Sequence, residues 1–358
     1  MTAVASFRDL LATRLEQWSG RPTLVAVAAL NAITGVAIAA VILPLSYGQD
    51  AGFYRTCALS VAAGKNDCSL YPPLAALLAR PLTWVTPTAA AAIMTLIGAT
   101  ILLTGVTLET RGRVLVDRVL VAVAALGFAP VVYELSLGQV TLLIAAALYP
   151  VVRHEDAFRN GLPMGIVLAV APKPMLLPLL AWMLVWRRRA LVTALLGALT
   201  LTSVGVVLYG TDQYATWASV LTGAGRESVA GTFALSLVGN FSLWPLDPVR
   251  IVVATAVGAV ALWTILQDSS RGFVAALLAG LLLAPYTGLY AASILLLAVK
   301  PALAFAPRAT RVLALMANLS LALLLALAAW SVIGLAACFP SVRSRSIWVS
   351  VRANRRHG

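Results

Sequence analysis

The chain has 358 residues, of which 61% are hydrophobic and only 11% charged. Soluble globular chains carry about a quarter charged residues, so this one has too few to cover a water-facing surface, which excludes a soluble fold. Its net charge of +13 comes from Lys and Arg in short clusters between apolar runs. That is the pattern of cytoplasmic membrane loops rather than of a nucleic-acid-binding face.

A helical bilayer crossing needs roughly 20 apolar residues, because every backbone N–H and C=O in hydrocarbon must be satisfied within the segment. The chain has room for about ten to twelve helical segments of varied length. The fold class expected is an all-α polytopic membrane helix bundle, several of its helices short or broken, in one domain over residues 1–358. The first apolar run, Leu24 to Leu45, is too long for a signal-peptide core and is read as a transmembrane helix. Arg8, Arg14 and Arg21 precede it, which puts the N-terminus in the cytoplasm and makes residues 46–70 a first extracytoplasmic loop. Further apolar runs cover 71–85, 88–108, 119–132, 140–152, 162–171, 175–186 and 191–209. A second large extracytoplasmic loop, 210–247, separates them from runs at 249–266, 273–284, 289–299 and 312–338, and a basic tail fills 339–358.

Strict alternation of these runs would put Arg187, Arg188 and Arg189 outside, against the charge rule. Treating some short runs as half-helices meeting at a polar break removes the conflict. Pro172, Lys173 and Pro174 then break a helical pair that begins and ends in the cytoplasm. Residues 46–70, 134–139, 172–174 and 210–247 converge on the outer half of the membrane.

The candidate chemistry gathers there. Asp50, in Tyr47-Gly-Gln-Asp-Ala-Gly-Phe-Tyr54, is one of thirteen acidic residues in the chain and stands just past the first helix. A positioned, partly desolvated carboxylate at that boundary acts as a general base on a hydroxyl; a solvated loop Asp is the plainer alternative. Lys173 lies within an apolar pair of segments with no acidic neighbour in sequence, a placement that is costly unless the ammonium meets a partner or a water-filled cavity. An anionic ligand such as a phosphate fits it, and snorkelling to an interface is the alternative. Glu134 and Gln139 flank a short polar link in reach of the same cavity, either as ligands or as an interfacial turn. Asn240, Tyr286 and Tyr290 add amide and aromatic groups suited to a sugar, though membrane-interface belts use Tyr as well. Cys57 and Cys68 share the first outer loop, where a bridge between them is expected, with two free thiols as the alternative. A Walker A loop, a paired-His metal motif and a Gly-Xaa-Ser-Xaa-Gly elbow are all missing. No cofactor and no metal are therefore expected.

In order along the chain, Asp50 and Tyr54, Leu70-Tyr-Pro-Pro73, Gly138-Gln139, the Gly161 to Pro178 segment with its Lys-Pro, Ser236 to Asn240 and Pro285 with its aromatics resemble glycosyltransferase family 87. This is a family of GT-C membrane mannosyl- and arabinofuranosyltransferases that use polyprenyl-phosphate sugars. The resemblance implies inverting, metal-independent transfer from a polyprenyl-phosphate sugar to a glycolipid or polysaccharide hydroxyl, on the extracytoplasmic side of the cell membrane. It implies Asp50 as the catalytic base and Lys173, Gln139, Tyr286 and Tyr290 on the donor and its phosphate. Tyr54, Arg55, Tyr71, Glu134 and Asn240 would face the acceptor or sugar. The competing reading is a secondary transporter or lipid flippase, suggested by the broken helices and the intramembrane lysine. A scaffold without catalysis follows if Asp50 and Lys173 stand far apart.

Overall fold

The computed structural model describes residues 21–65, 71–223, 248–284 and 288–301. Among the described residues the chain is helical and holds no strand. Helix α1 (Arg21–Ser46) leads into α2 (Gln49–Ala62), α3 (Pro73–Ala79) and α4 (Pro87–Glu109). Then come α5 (Leu115–Leu126), α6 (Ala129–Leu137), α7 (Thr141–Arg153), α8 (Leu162–Val170), α9 (Leu177–Trp186) and α10 (Arg188–Tyr209). The rest are α11 (Thr211–Gly223), α12 (Pro248–Gln267), α13 (Ser269–Leu283) and a ten-residue 3₁₀ segment, Leu289–Ala298.

Three helical stretches are long and apolar enough to cross a bilayer: Leu24–Pro44 within α1, then α4 and α10. A fourth is formed if α5 and α6, bent by 64° at their junction, count as one span. The bend has a local cause, since Pro130 in the first turn of α6 has no N–H to continue the α5 ladder. Shorter apolar helices, α7 to α9, α12 and α13 among them, fill the bundle between these. The protein is thus an all-α membrane helix bundle, as its composition requires.

Two stretches expected as loops are partly helical. Within 46–70, α2 buries Ala51, Tyr54, Cys57, Ala58 and Val61, whose spacing of three and four residues is one helical face. Its other face is polar, and that polarity made the stretch read as a loop. Similarly, α11 occupies the start of 210–247. The turn expected at Glu134 lies later, because α6 continues through Leu137 and closes on the left-handed Gly138. The break at Pro172-Lys173-Pro174 does separate two helices, α8 and α9. The run at 312–338 and the basic tail lie outside the described residues.

The larger core joins α7, α8, α9, α13 and the 3₁₀ segment around Leu148, Met164, Trp182, Met183 and Phe273. A smaller one packs Ala51 and Tyr54 of α2 against Ala90, Ala91 and Met94 of α4. The candidate site lies at this second core, where α2 meets α6.

Candidate active site

Two left-handed glycines fix the junction. Gly48, at φ 69°, precedes α2 and donates its N–H to the Ser136 carbonyl of α6 at 2.7 Å. A Cβ at Gly48 would lie 2.3 Å from that of Ala91, so no side chain fits. Gly138, at φ 73°, caps α6, and a Cβ there would come within 3.0 Å of the Ala51 Cβ. Glycine alone takes this backbone conformation without steric cost. The start of α2 is thereby pressed against the end of α6, which brings Asp50, in the first turn of α2, to Gln139.

The Gln139 amide donates to Asp50 Oδ2 across 89 residues of sequence. Its carbonyl oxygen accepts from Lys173 Nζ at 3.4 Å and from the Tyr54 hydroxyl at 3.1 Å. A lysine can only donate and an ionised carboxylate can only accept, so these partners fix which way the amide points. Because the Tyr54 proton goes to Gln139, the Tyr71 hydroxyl, 3.2 Å from that of Tyr54, is the donor of that pair. The Tyr54 and Tyr71 rings meet edge to face, with centroids 5.3 Å apart.

Lys173 reaches this group from the break between α8 and α9. Pro172 and Pro174 carry no N–H, and the Lys173 N–H is satisfied by the Ala171 carbonyl at 2.8 Å. The break therefore leaves no backbone donor unpaired at Lys173 and frees its side chain to turn inward. The ammonium stands 5.0 Å from the ring centroid of Tyr290, within range of a cation–π attraction. Tyr290 in turn lies 6.3 Å from the Tyr133 ring, an aromatic that the sequence reading passed over.

Asp50, Gln139, Lys173, Tyr71 and Tyr290 are all half-buried, so the group faces an opening rather than a sealed core. Among the described residues Asp50 receives one hydrogen bond, from Gln139, and Lys173 makes one, to the same amide. Toward the described residues, one carboxylate oxygen and two ammonium protons are thus uncommitted. Burial pushes the Asp50 carboxyl above its usual range, while the Gln139 hydrogen bond and the Lys173 charge pull it back. The arrangement offers a proton acceptor and a fixed positive charge, separated by a neutral amide and walled by tyrosines.

Glu134 is sealed behind the cluster rather than open to it. It is 1% exposed, and its carboxylate accepts from the Leu142 N–H at 2.5 Å and from the Ser293 hydroxyl. It ties the first turn of α7 to the 3₁₀ segment behind the cluster. Arg55 makes no described contact with the cluster, and its Nε is buried without a hydrogen-bond partner among the described residues. The Cys57 sulfur is disulfide-bonded; Cys68, Asn240 and Tyr286 lie outside the described residues. Among the described residues no three His, Cys, Asp or Glu side chains gather as metal ligands do.

The model of glycosyltransferase family 87 matches residues 70–289, a span that holds Tyr71, Gln139 and Lys173 and begins after Asp50. A relative, the polyprenol-phosphate-mannose-dependent alpha-(1-2)-phosphatidylinositol mannoside mannosyltransferase of Mycobacterium tuberculosis, is 24% identical over 54% of this chain and 52% of its own length. The chain thus spans about half the length of the curated relative it matches. No solved structure matches it. With more than half of its length matched by the family model, the chain belongs to glycosyltransferase family 87.

Proposed function

We propose that the protein is an inverting membrane glycosyltransferase that moves a sugar from a polyprenyl-phosphate donor to a hydroxyl of a glycolipid or polysaccharide. The reaction takes place on the extracytoplasmic side of the cell membrane, with the N-terminus in the cytoplasm. Asp50 takes the proton of the acceptor hydroxyl as its oxygen bonds to the anomeric carbon. The bond from that carbon to the phosphate oxygen breaks, and polyprenyl phosphate leaves with the electron pair. Lys173 stabilises the departing negative charge, and Tyr71 and Tyr290 line the space between.

One observation carries this reading: a single amide, Gln139, holds both the Asp50 carboxylate and the Lys173 ammonium. Inverting transfer needs a base on one side of the reacting carbon and charge stabilisation on the other, and a carboxylate and an ammonium joined through one amide support giving those roles to Asp50 and Lys173. The name of the mycobacterial relative supports mannose over arabinofuranose as the sugar.

The test is transfer by the purified full-length chain in lipid vesicles, with synthetic polyprenyl-phosphate mannose and polyprenyl-phosphate arabinofuranose assayed in parallel. Mannose transfer by the wild type, lost in Asp50→Asn with membrane insertion intact, is the result expected. Full activity in Asp50→Asn overturns the role of Asp50. Donor movement across the bilayer with no sugar transfer favours the flippase reading instead.

A further inference from the structure

On the other side of Ser293 from the tyrosine cluster lies a cavity of about 430 Å³. Its walls come from α4, α5, α7 and the 3₁₀ segment, through Gly105, Val121, Ala125, Ala146 and Leu296. They are almost wholly apolar until the mouth, where Glu109, Arg153 and Lys300 meet. Arg153 Nε lies 2.6 Å and Lys300 Nζ 3.2 Å from the Glu109 carboxylate. Two cations thus share one anion, and the exposed Arg111 and Arg113 in the turn after α4 add to the surplus of positive charge.

The groove is separate from the Asp50–Gln139–Lys173 group. Leu142 and Ser293 form its inner end. Behind them Glu134 accepts a hydrogen bond from each, with Leu142, Glu134 and Ser293 at 3%, 1% and 0% exposure. Nothing passes through so close a contact. The depth also has a natural match. The α4 wall runs from Thr100 to Glu109, about 14 Å at 1.5 Å per residue, which is close to half of a bilayer core about 30 Å thick.

We propose that this groove is a binding site for one phospholipid with an anionic headgroup, drawn from the leaflet on the Arg153 side. An acyl chain lies along the α4 and α7 walls, and the headgroup phosphate sits among Arg153, Lys300 and the arginines that follow α4. A surface cation beside a lipid headgroup contributes on the order of 1 kcal/mol to such attraction, and an apolar slot of one leaflet's depth accepts an acyl chain without exposing it. Arg153 also donates to the Leu297 carbonyl at 3.4 Å. Lipid held at this mouth therefore rests against the segment that carries Tyr290 to Lys173.

The experiment is native mass spectrometry of the full chain, delipidated and then offered equal amounts of phosphatidylglycerol and phosphatidylcholine in mixed micelles. One phosphatidylglycerol retained per chain, in preference to phosphatidylcholine, is expected. Lys300→Gln should weaken that retention about fivefold, the loss of a single headgroup cation. A Cβ at Gly105 would meet nothing within 4 Å, so Gly105→Phe fills the slot from α4 and should abolish retention. Ala146→Phe does the same from α7 if the first variant is poorly folded. Equal retention of the two lipids, retention untouched by either filling variant, or displacement of phosphatidylglycerol by polyprenyl phosphate would each overturn the proposal.

Discussion

The two ends of the α4–α7 region hold similar ingredients in opposite arrangements. At the Arg153 end the Glu109 carboxylate meets Arg153 at 2.6 Å and Lys300 at 3.2 Å directly. The carboxylate is fastened at short range by two cations, which leaves no free base there while one positive charge remains in surplus. At the α2–α6 junction a carboxylate and an ammonium are again close, but the Gln139 amide stands between Asp50 and Lys173 and bonds to both. Neither charge is tied directly to the other, which suits the proposed roles of Asp50 as base and Lys173 as charge stabiliser. A direct ion pair is a fastener, whereas a pair held apart by an amide can act on something placed between them.

The largest effect that would break this contrast is removal of the base. Asp50→Asn keeps the shape and a hydrogen-bond acceptor but cannot take a proton, and transfer should fall by roughly 10²- to 10⁴-fold, read as kcat in vesicles with insertion unchanged. Next comes Lys173→Met, which fills the space without the charge; kcat should fall by about 10²-fold or more, the scale of one preorganised charge-stabilising group. A variant as active as wild type would mean that another group meets the leaving phosphate.

Gln139→Leu separates the two roles of the amide. Losing one hydrogen bond to a charged group should cost about tenfold in rate. Asp50 acts only when ionised, so activity falls as pH drops through its pKa. Burial raises that pKa, and Gln139 lowers it. Removing Gln139 must therefore move the acid limb of the pH–rate profile to higher pH, and a limb that stays in place or moves down refutes the contact. The smallest effect is expected at the opposite end. Glu109→Gln breaks a pair whose side chains are 14% and 24% exposed on the Arg153 side and 71% exposed at Lys300. Solvent screens it, so stability in thermal unfolding should drop by about 1 kcal/mol or less, and less still at high salt.

Much of this was legible in the sequence, and the exceptions share one cause. Pro172 and Pro174 announce the break before α9, because a missing N–H acts locally whatever surrounds it. Asp50 and Lys173 stood out because charge is rare in an apolar chain. That Gln139 joins them was not legible, since the contacts span 89 and 34 residues and depend on two glycines that let α2 approach α6. Helix α2 was hidden because tertiary packing of Ala51, Tyr54 and Cys57, rather than apolar content, makes it a helix. Glu134 is visible as a carboxylate between two apolar runs, but its burial is not, since its partner Ser293 lies 159 residues away and carries no local signal. Arg153 and Lys300 stand at the ends of apolar runs, where membrane sidedness already accounts for them, and nothing local marks Glu109 as their shared partner.

The Gln139 amide has one more consequence. It conducts no protons, because an amide neither gains nor loses one near neutral pH, so it insulates Asp50 from Lys173 as effectively as it connects them. Each turnover would leave the acceptor's proton on Asp50, with no relay through the amide to carry it to the lysine. With Asp50 as the base, that proton would leave by the half-buried face of the carboxylate, and solvent rather than the protein's own side chains would reset the site.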